Sequence, residues 1–176
     1  NNESGSSAPI YVGNGGNFTM NGGRITSNKN ISKGHSTFNA AGAVYVDEGG
    51  QFTLNGGSID NNEAPVGGVF LGKIFGNENG RRIPALFTMN GGFIVRNKGP
   101  LYDNLEPETE NYGGGVHVDS LANFIFNNGI IAGNESYRGG AVAITDNYVK
   151  DSNGVNYSNI RNVNYEDYVK YAGAYY

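Results

Sequence analysis

The chain alternates apolar and polar side chains in short bursts, and the bursts recur. Residues 18–28 read FTMNGGRITSN, 52–62 read FTLNGGSIDNN, 87–97 read FTMNGGFIVRN and 124–134 read FIFNNGIIAGN. Phe18 and Met20 flank Thr19, a period of two that puts successive side chains on opposite faces of a strand. A second burst precedes each of these, as APIYV at 8–12, AGAVYV at 41–46, GGVFL at 67–71 and GGVHV at 114–118; GGAVAI at 139–144 follows the last. Here Val44 and Val46 flank Tyr45, and Val116 and Val118 flank His117. No helical period of useful length competes before the last dozen residues.

Superposing the copies gives columns of like residues. Phe18, Phe52, Phe87 and Phe124 form one, and Met20, Leu54, Met89 and Phe126 the next. Ile25, Ile59, Ile94 and Ile131 form a third. Ile10, Val44, Val69, Val116 and Val142 form a fourth, with Val12, Val46, Leu71, Val118 and Ile144 as the fifth. One such coil cannot bury its own apolar side, but stacked coils share a continuous core. Asparagines recur as well, at Asn21, Asn55, Asn90 and Asn127 and again at Asn28, Asn62, Asn97 and Asn134. Stacked amides of this kind can hydrogen-bond along a column. The glycine pair after the first asparagine suits a bend where φ is positive.

These patterns predict an all-β fold, a right-handed parallel β-helix of about five coils with three short strands each. The handedness follows the general rule for parallel crossovers. Residues 1–176 are expected to form a single domain, with 145–176 as an irregular last coil or a cap. The ending AGAYY echoes AGAVY at 41–45, so the chain is expected to continue into another coil beyond Tyr176.

Composition narrows the function. The formal charge of −4 and the absence of Lys/Arg runs argue against nucleic-acid binding. No apolar run approaches the ~18 residues of a membrane span. Cysteine is absent, which removes disulfides, thiolate metal sites and cysteine nucleophiles together. The opening NNESGSSAP lacks the apolar region of a signal peptide and reads as the edge of an excised fragment.

The paired signatures GGAVAI, AGAVYV and GGVFL with FTMN, FTLN and FIFN resemble the repeats of the polymorphic outer-membrane protein family. They are equally similar to repeats in large bacterial surface adhesins. The resemblance spans residues 8–144. It implies a β-helix presented outside the cell, acting in adhesion. It departs from the family pattern in APIYV, where a glycine is replaced, and in having no autotransporter barrel.

Loops interrupt the period, and function in a solenoid tends to sit at such breaks. Residues 29–40 and 98–112 precede a GG strand and residues 72–84 follow one, so together they could wall a groove. Asp103, Glu106, Glu108 and Glu110 in the second loop match no calcium-loop spacing and read as a solvated acidic surface. Arg81 and Arg82 read as solvated charges. The carboxylates and bases available for catalysis are Asp47, Glu48, Asp119, His117 and Arg138, without a tight acid pair. The column Thr19, Thr53 and Thr88 ends at Ile125 and reads as ordinary strand sequence.

The outward positions of the GG strand are Tyr11, Tyr45, Phe70, His117 and Ala143. Tyr11, Tyr45, Phe70 and His117 are the expected ligand-binding residues, since consecutive rings on an outer face mark a contact surface. The alternative is that loops fold over them to make a satellite core. The reading is therefore a non-catalytic, extracellular adhesin or binding module that needs no cofactor or metal. It is expected to be monomeric and to recognise a glycan or protein on another cell surface. A polysaccharide lyase or hydrolase and a purely structural stalk are the alternatives.

Overall fold

The computed structural model describes residues 2–4, 8–30, 41–72, 83–99, 113–119, 122–137, 139–144, 149–150 and 156–157. These residues form strands, bridges and turns, with no helix among them. Three parallel sheets make up a β-solenoid of about five coils. The first stacks β2 (Ile10–Val12), β6 (Val44–Val46), β9 (Val69–Leu71), β12 (Val116–Val118) and β15 (Val142–Ile144). The second stacks β3 (Asn17–Met20), β7 (Gln51–Leu54), β10 (Leu86–Met89) and β13 (Asn123–Phe126). The third stacks β4 (Arg24–Thr26), β8 (Ser58–Asp60), β11 (Phe93–Val95) and β14 (Ile130–Ala132).

Every column read from the repeats is in register. Phe18 pairs with Phe52, Phe87 with Phe52 and with Phe124, and Ile59 with Ile25 and Ile94. The phenyl rings stack with centroids 5.2, 4.8 and 4.9 Å apart and planes within 16°. That spacing is set by the ~4.8 Å separation of hydrogen-bonded strands. Phe52, Phe87, Leu54, Met89, Ile59 and Ile94 are fully buried. Each such side chain contributes on the order of 1.5–3 kcal/mol.

Two of the three corners in each coil carry a column of four positive-φ residues. Gly23, Gly57, Gly92 and Gly129 occupy one column at φ 84°, 93°, 85° and 125°. Ser27, Asn61, Arg96 and Gly133 occupy the other at φ 56°, 55°, 54° and 59°. Three of that second set bear side chains in a left-handed conformation that favours glycine. The GG pair opening β9 has a different reason. A Cβ on Gly68 would lie 2.2 Å from the carbonyl oxygen of Gly115 in the next coil. Close stacking, rather than φ, excludes a side chain there.

Two asparagine ladders run along the molecule with opposite polarity. Inside, Asn28 donates its N–H and Nδ2 to Asn62 Oδ1, Asn62 donates likewise to Asn97, and Asn97 to Asn134. Asn2 adds a rung by donating to Asn28 in the same way. Outside, donation runs the other way, from Asn55 to Asn21, Asn90 to Asn55 and Asn127 to Asn90, at 2.7–2.8 Å. Next to the inner ladder stands a column of alternating charge. Glu3 in β1 (Glu3–Ser4) pairs with Lys29 in β5 (Lys29–Asn30), and the bridges continue through Glu63, Lys98 and Glu135. Lys29 meets Glu63 at 2.8 Å and Lys98 meets Glu135 at 3.6 Å. All four side chains are exposed, so such pairs contribute ~0–1 kcal/mol each and act chiefly on register.

The expected last coil or cap at 145–176 lies largely outside the described residues. Within it, β16 (Val149–Lys150) and β17 (Asn156–Tyr157) pair antiparallel, unlike the solenoid strands.

Candidate functional site

The first sheet carries the rings singled out from the sequence. Parallel register places Tyr11 beside Tyr45, Tyr45 beside Phe70, Phe70 beside His117 and His117 beside Ala143. Their centroids are 5.4, 5.2 and 5.1 Å apart, so the predicted stack exists. Solvent contact is another matter. Tyr45, Phe70 and His117 are only 2–3% exposed, whereas Tyr11 is 55% exposed. Tyr45 and Phe70 form a second apolar cluster with Ala8, Ala41 and Val66, outside the main core. Three of the four rings are thus enclosed, and two of them, Tyr45 and Phe70, belong to this second cluster. The loop segments 31–40, 73–82 and 100–112, with the acidic residues and Arg81 and Arg82, lie outside the described residues, as does Arg138.

At the exposed end of the stack two phenols converge on one carboxylate. Tyr11 donates to Asp47 Oδ2 at 2.6 Å and Tyr45 donates to Asp47 Oδ1 at 3.2 Å. Asp47 also accepts the N–H of Glu48 at 2.8 Å, which fixes the turn after β6. The hydrogen bond to Asp47, ahead of burial and the carboxylate's charge, pushes the Tyr11 phenol up to about 12. Burial, then the charge and hydrogen bond of Asp47, raises the Tyr45 phenol as well. Both phenols therefore remain neutral donors. Space for the Tyr45 hydroxyl comes from Gly72, where a Cβ would lie 2.6 Å from it.

Asp47, Gly72 and Asp119 follow Val46, Leu71 and Val118, so the two carboxylates stand in one column two coils apart. Strand spacing puts their backbones about 10 Å apart, near the upper end of the separation used for inverting glycoside hydrolysis. Asp119, however, is 3% exposed, and Asp47 is engaged by two phenols. Burial drives the His117 imidazole down to about 4, which leaves it neutral near pH 7.

On the third sheet a polar network went unread in the sequence. Asp60, 1% exposed, accepts from Arg24 Nε and Nη2, Thr26 Oγ1, Ser58 Oγ and Asn61 Nδ2. Burial alone would raise its carboxyl, but the combined donors outweigh that and hold it well below the usual carboxylate range. Its side chain is saturated with donors, which suits a staple between coils better than a reactive group. Asp60 directly follows the inward-facing Ile59, but no local pattern links it to Arg24, 36 residues earlier.

Among the described residues no group of three or more His, Asp or Glu side chains is placed to hold a metal ion, and no helix is long and apolar enough to cross a membrane. No protein-family profile matches this chain, and neither does any curated protein or any solved structure.

Proposed function

We propose that this solenoid is a non-catalytic binding module displayed on a bacterial cell surface, taking a glycan or protein of another cell as its ligand. The observation that supports this most is Tyr11. Its ring stands in solvent, rests on Tyr45, and is locked by the hydrogen bond to Asp47. A ring fixed this way loses little conformational entropy on binding. It offers an apolar face beside a hydrogen-bonding carboxylate, the combination that a sugar's mixed CH and OH surface fills. The resemblance of the repeats to those of surface adhesins agrees with this reading.

The test is Tyr11→Ala assayed against a glycan panel and against whole cells. Binding should fall at least tenfold with the melting temperature held within about 2 °C, because Tyr11 is mostly exposed. Unchanged binding would remove Tyr11 from any site. A depolymerisation assay on the bound polysaccharides decides against the enzyme reading if no product forms, and product lost in Asp119→Asn would reverse the conclusion.

A further inference from the structure

The second sheet presents a face of a different kind from the rest of the molecule. Its outward positions form a grid of three columns on four strands. One column is Asn17, Gln51, Leu86 and Asn123; the next is Thr19, Thr53, Thr88 and Ile125. The third is the outer ladder of Asn21, Asn55, Asn90 and Asn127. All twelve positions are exposed or half-exposed, and all belong to the described residues. None is charged, although 16% of the chain is. The outward face of the third sheet, by contrast, carries the Arg24–Asp60 ion pair.

The grid is regular because the sheet is. Rows repeat every ~4.8 Å along the solenoid axis, and columns lie ~7 Å apart along the strands. The ladder also orients its amides. Each Nδ2 that donates to the coil before it keeps a second hydrogen, and each Oδ1 that accepts keeps a second lone pair. The result is an ordered row of donors and acceptors at fixed spacing, beside a row of threonine hydroxyls and methyls.

We infer that this amide–hydroxyl face binds a neutral polysaccharide laid along the solenoid axis. Three features of the face select that occupant. Absence of charge removes any electrostatic preference for an anionic glycan or a nucleic acid. A fixed period suits a ligand that itself repeats, which the irregular surface of a folded protein does not. Leu86 and Ile125 interrupt the polar columns, which matches the alternation of CH and OH on a sugar face and spoils a uniform lattice for ice. The inference rests on the binding-module reading, but uses a different sheet from Tyr11.

The experiment measures depletion of the full chain from solution by insoluble neutral polysaccharides (cellulose, chitin and mannan) at low and high salt. Thr53→Val with Thr88→Val keeps the β-branched shape and removes two hydroxyls. The expected result is binding to at least one of these polymers that salt leaves unchanged, that drops at least tenfold in the double valine variant, and that Phe93→Ala, an exposed position on the third sheet, preserves. Loss in Tyr11→Ala alone overturns this inference and leaves the binding-module reading intact. Salt-sensitive binding confined to charged glycans overturns it, and so does absence of binding to all three polymers. Arrest of ice growth without polysaccharide binding assigns the face to ice instead. Should the double variant melt more than about 5 °C lower, Thr53→Ser and Thr88→Ser, which retain the hydroxyls, must restore binding if the inference holds.

Discussion

Asn62 sends two donors, its backbone N–H and its Nδ2, to a single acceptor, the Oδ1 of Asn97, at 3.1 and 2.8 Å. Asn97 repeats the gesture toward Asn134 and gives its remaining amide hydrogen to the carbonyl of Ile59. Both residues are fully buried. One side chain therefore satisfies two backbone groups of the preceding coil while its amide also reaches the Asn134 side chain of the next. Asn97→Ala strands two donors of Asn62 and the Ile59 carbonyl. At ~1–3 kcal/mol per buried group left unpaired, a loss on the order of 3 kcal/mol or more is expected, read by urea unfolding. Asn90→Ala, in the exposed outer ladder, should lie within about 0.5 kcal/mol of the parent, since water replaces its partners. Equal losses at the two sites would mean that the inner ladder is not the structural one.

Phe52 sits between Phe18 and Phe87 with no exposure, and Phe18 at the end of the stack is only partly buried. Phe52→Ala should cost about 3–5 kcal/mol because neighbours held by strand spacing cannot collapse into the cavity. Phe18→Ala should cost clearly less, since part of its surface already meets water. Thermal unfolding of the two variants gives the comparison, and a Phe18 loss equal to that of Phe52 would contradict the stacking order.

The core was legible in the sequence because burial and strand period act on the same positions. Like residues superpose down the Phe, Ile and Val columns, and each superposed pair is a strand pair. The ring column was legible as a stack but not as solvent-facing or covered. Alternation says which side of the strand Phe70 takes, and only tertiary packing with Ala41 and Val66 says that this side is enclosed. The Arg24–Asp60 pair and the Glu3, Lys29, Glu63, Lys98 and Glu135 column depend on coil-to-coil registry. The charged column stands one residue past Asn28, Asn62, Asn97 and Asn134, and its alternation of sign appears only between coils, not within one. The left-handed corner at Ser27, Asn61 and Arg96 gave no compositional signal, since only Gly133 among its members is glycine.

That corner supplies a stabilising change. Arg96 holds φ at 54°, and its exposed side chain reaches Asn61 only at 3.4 Å. A left-handed residue with a Cβ costs roughly 1–2 kcal/mol, partly offset by the extra unfolded-state entropy that glycine brings. Arg96→Gly is expected to raise stability by about 0.5–1 kcal/mol, or a few degrees in melting temperature. A fall in melting temperature would show that the Arg96–Asn61 contact outweighs the backbone strain.

His117 makes the acid sensitivity of the fold specific. Its ring lies against Phe70, with Ala143 in the next coil, and burial lowers its pKa from 6.5 to about 4. In the unfolded chain the imidazole titrates near its ordinary value of about 6.5. Between those values the unfolded chain binds a proton that the folded chain does not. Stability is therefore full above pH ~6.5 and declines as pH falls toward ~4, by on the order of 3 kcal/mol. Asp60 is shifted for a different reason: burial raises its carboxyl, but the hydrogen bonds from Arg24, Ser58, Thr26 and Asn61 outweigh that and hold it low. Its contribution is lost only as pH falls below the ordinary carboxylate value of about 3.9, and so outside the histidine window. His117→Phe keeps a ring in the column and removes the titration. Urea midpoints of the parent should fall between pH 6.5 and 4.5 while those of His117→Phe stay nearly level. Parallel slopes for the two proteins over that interval would mean that other groups cause the acid loss.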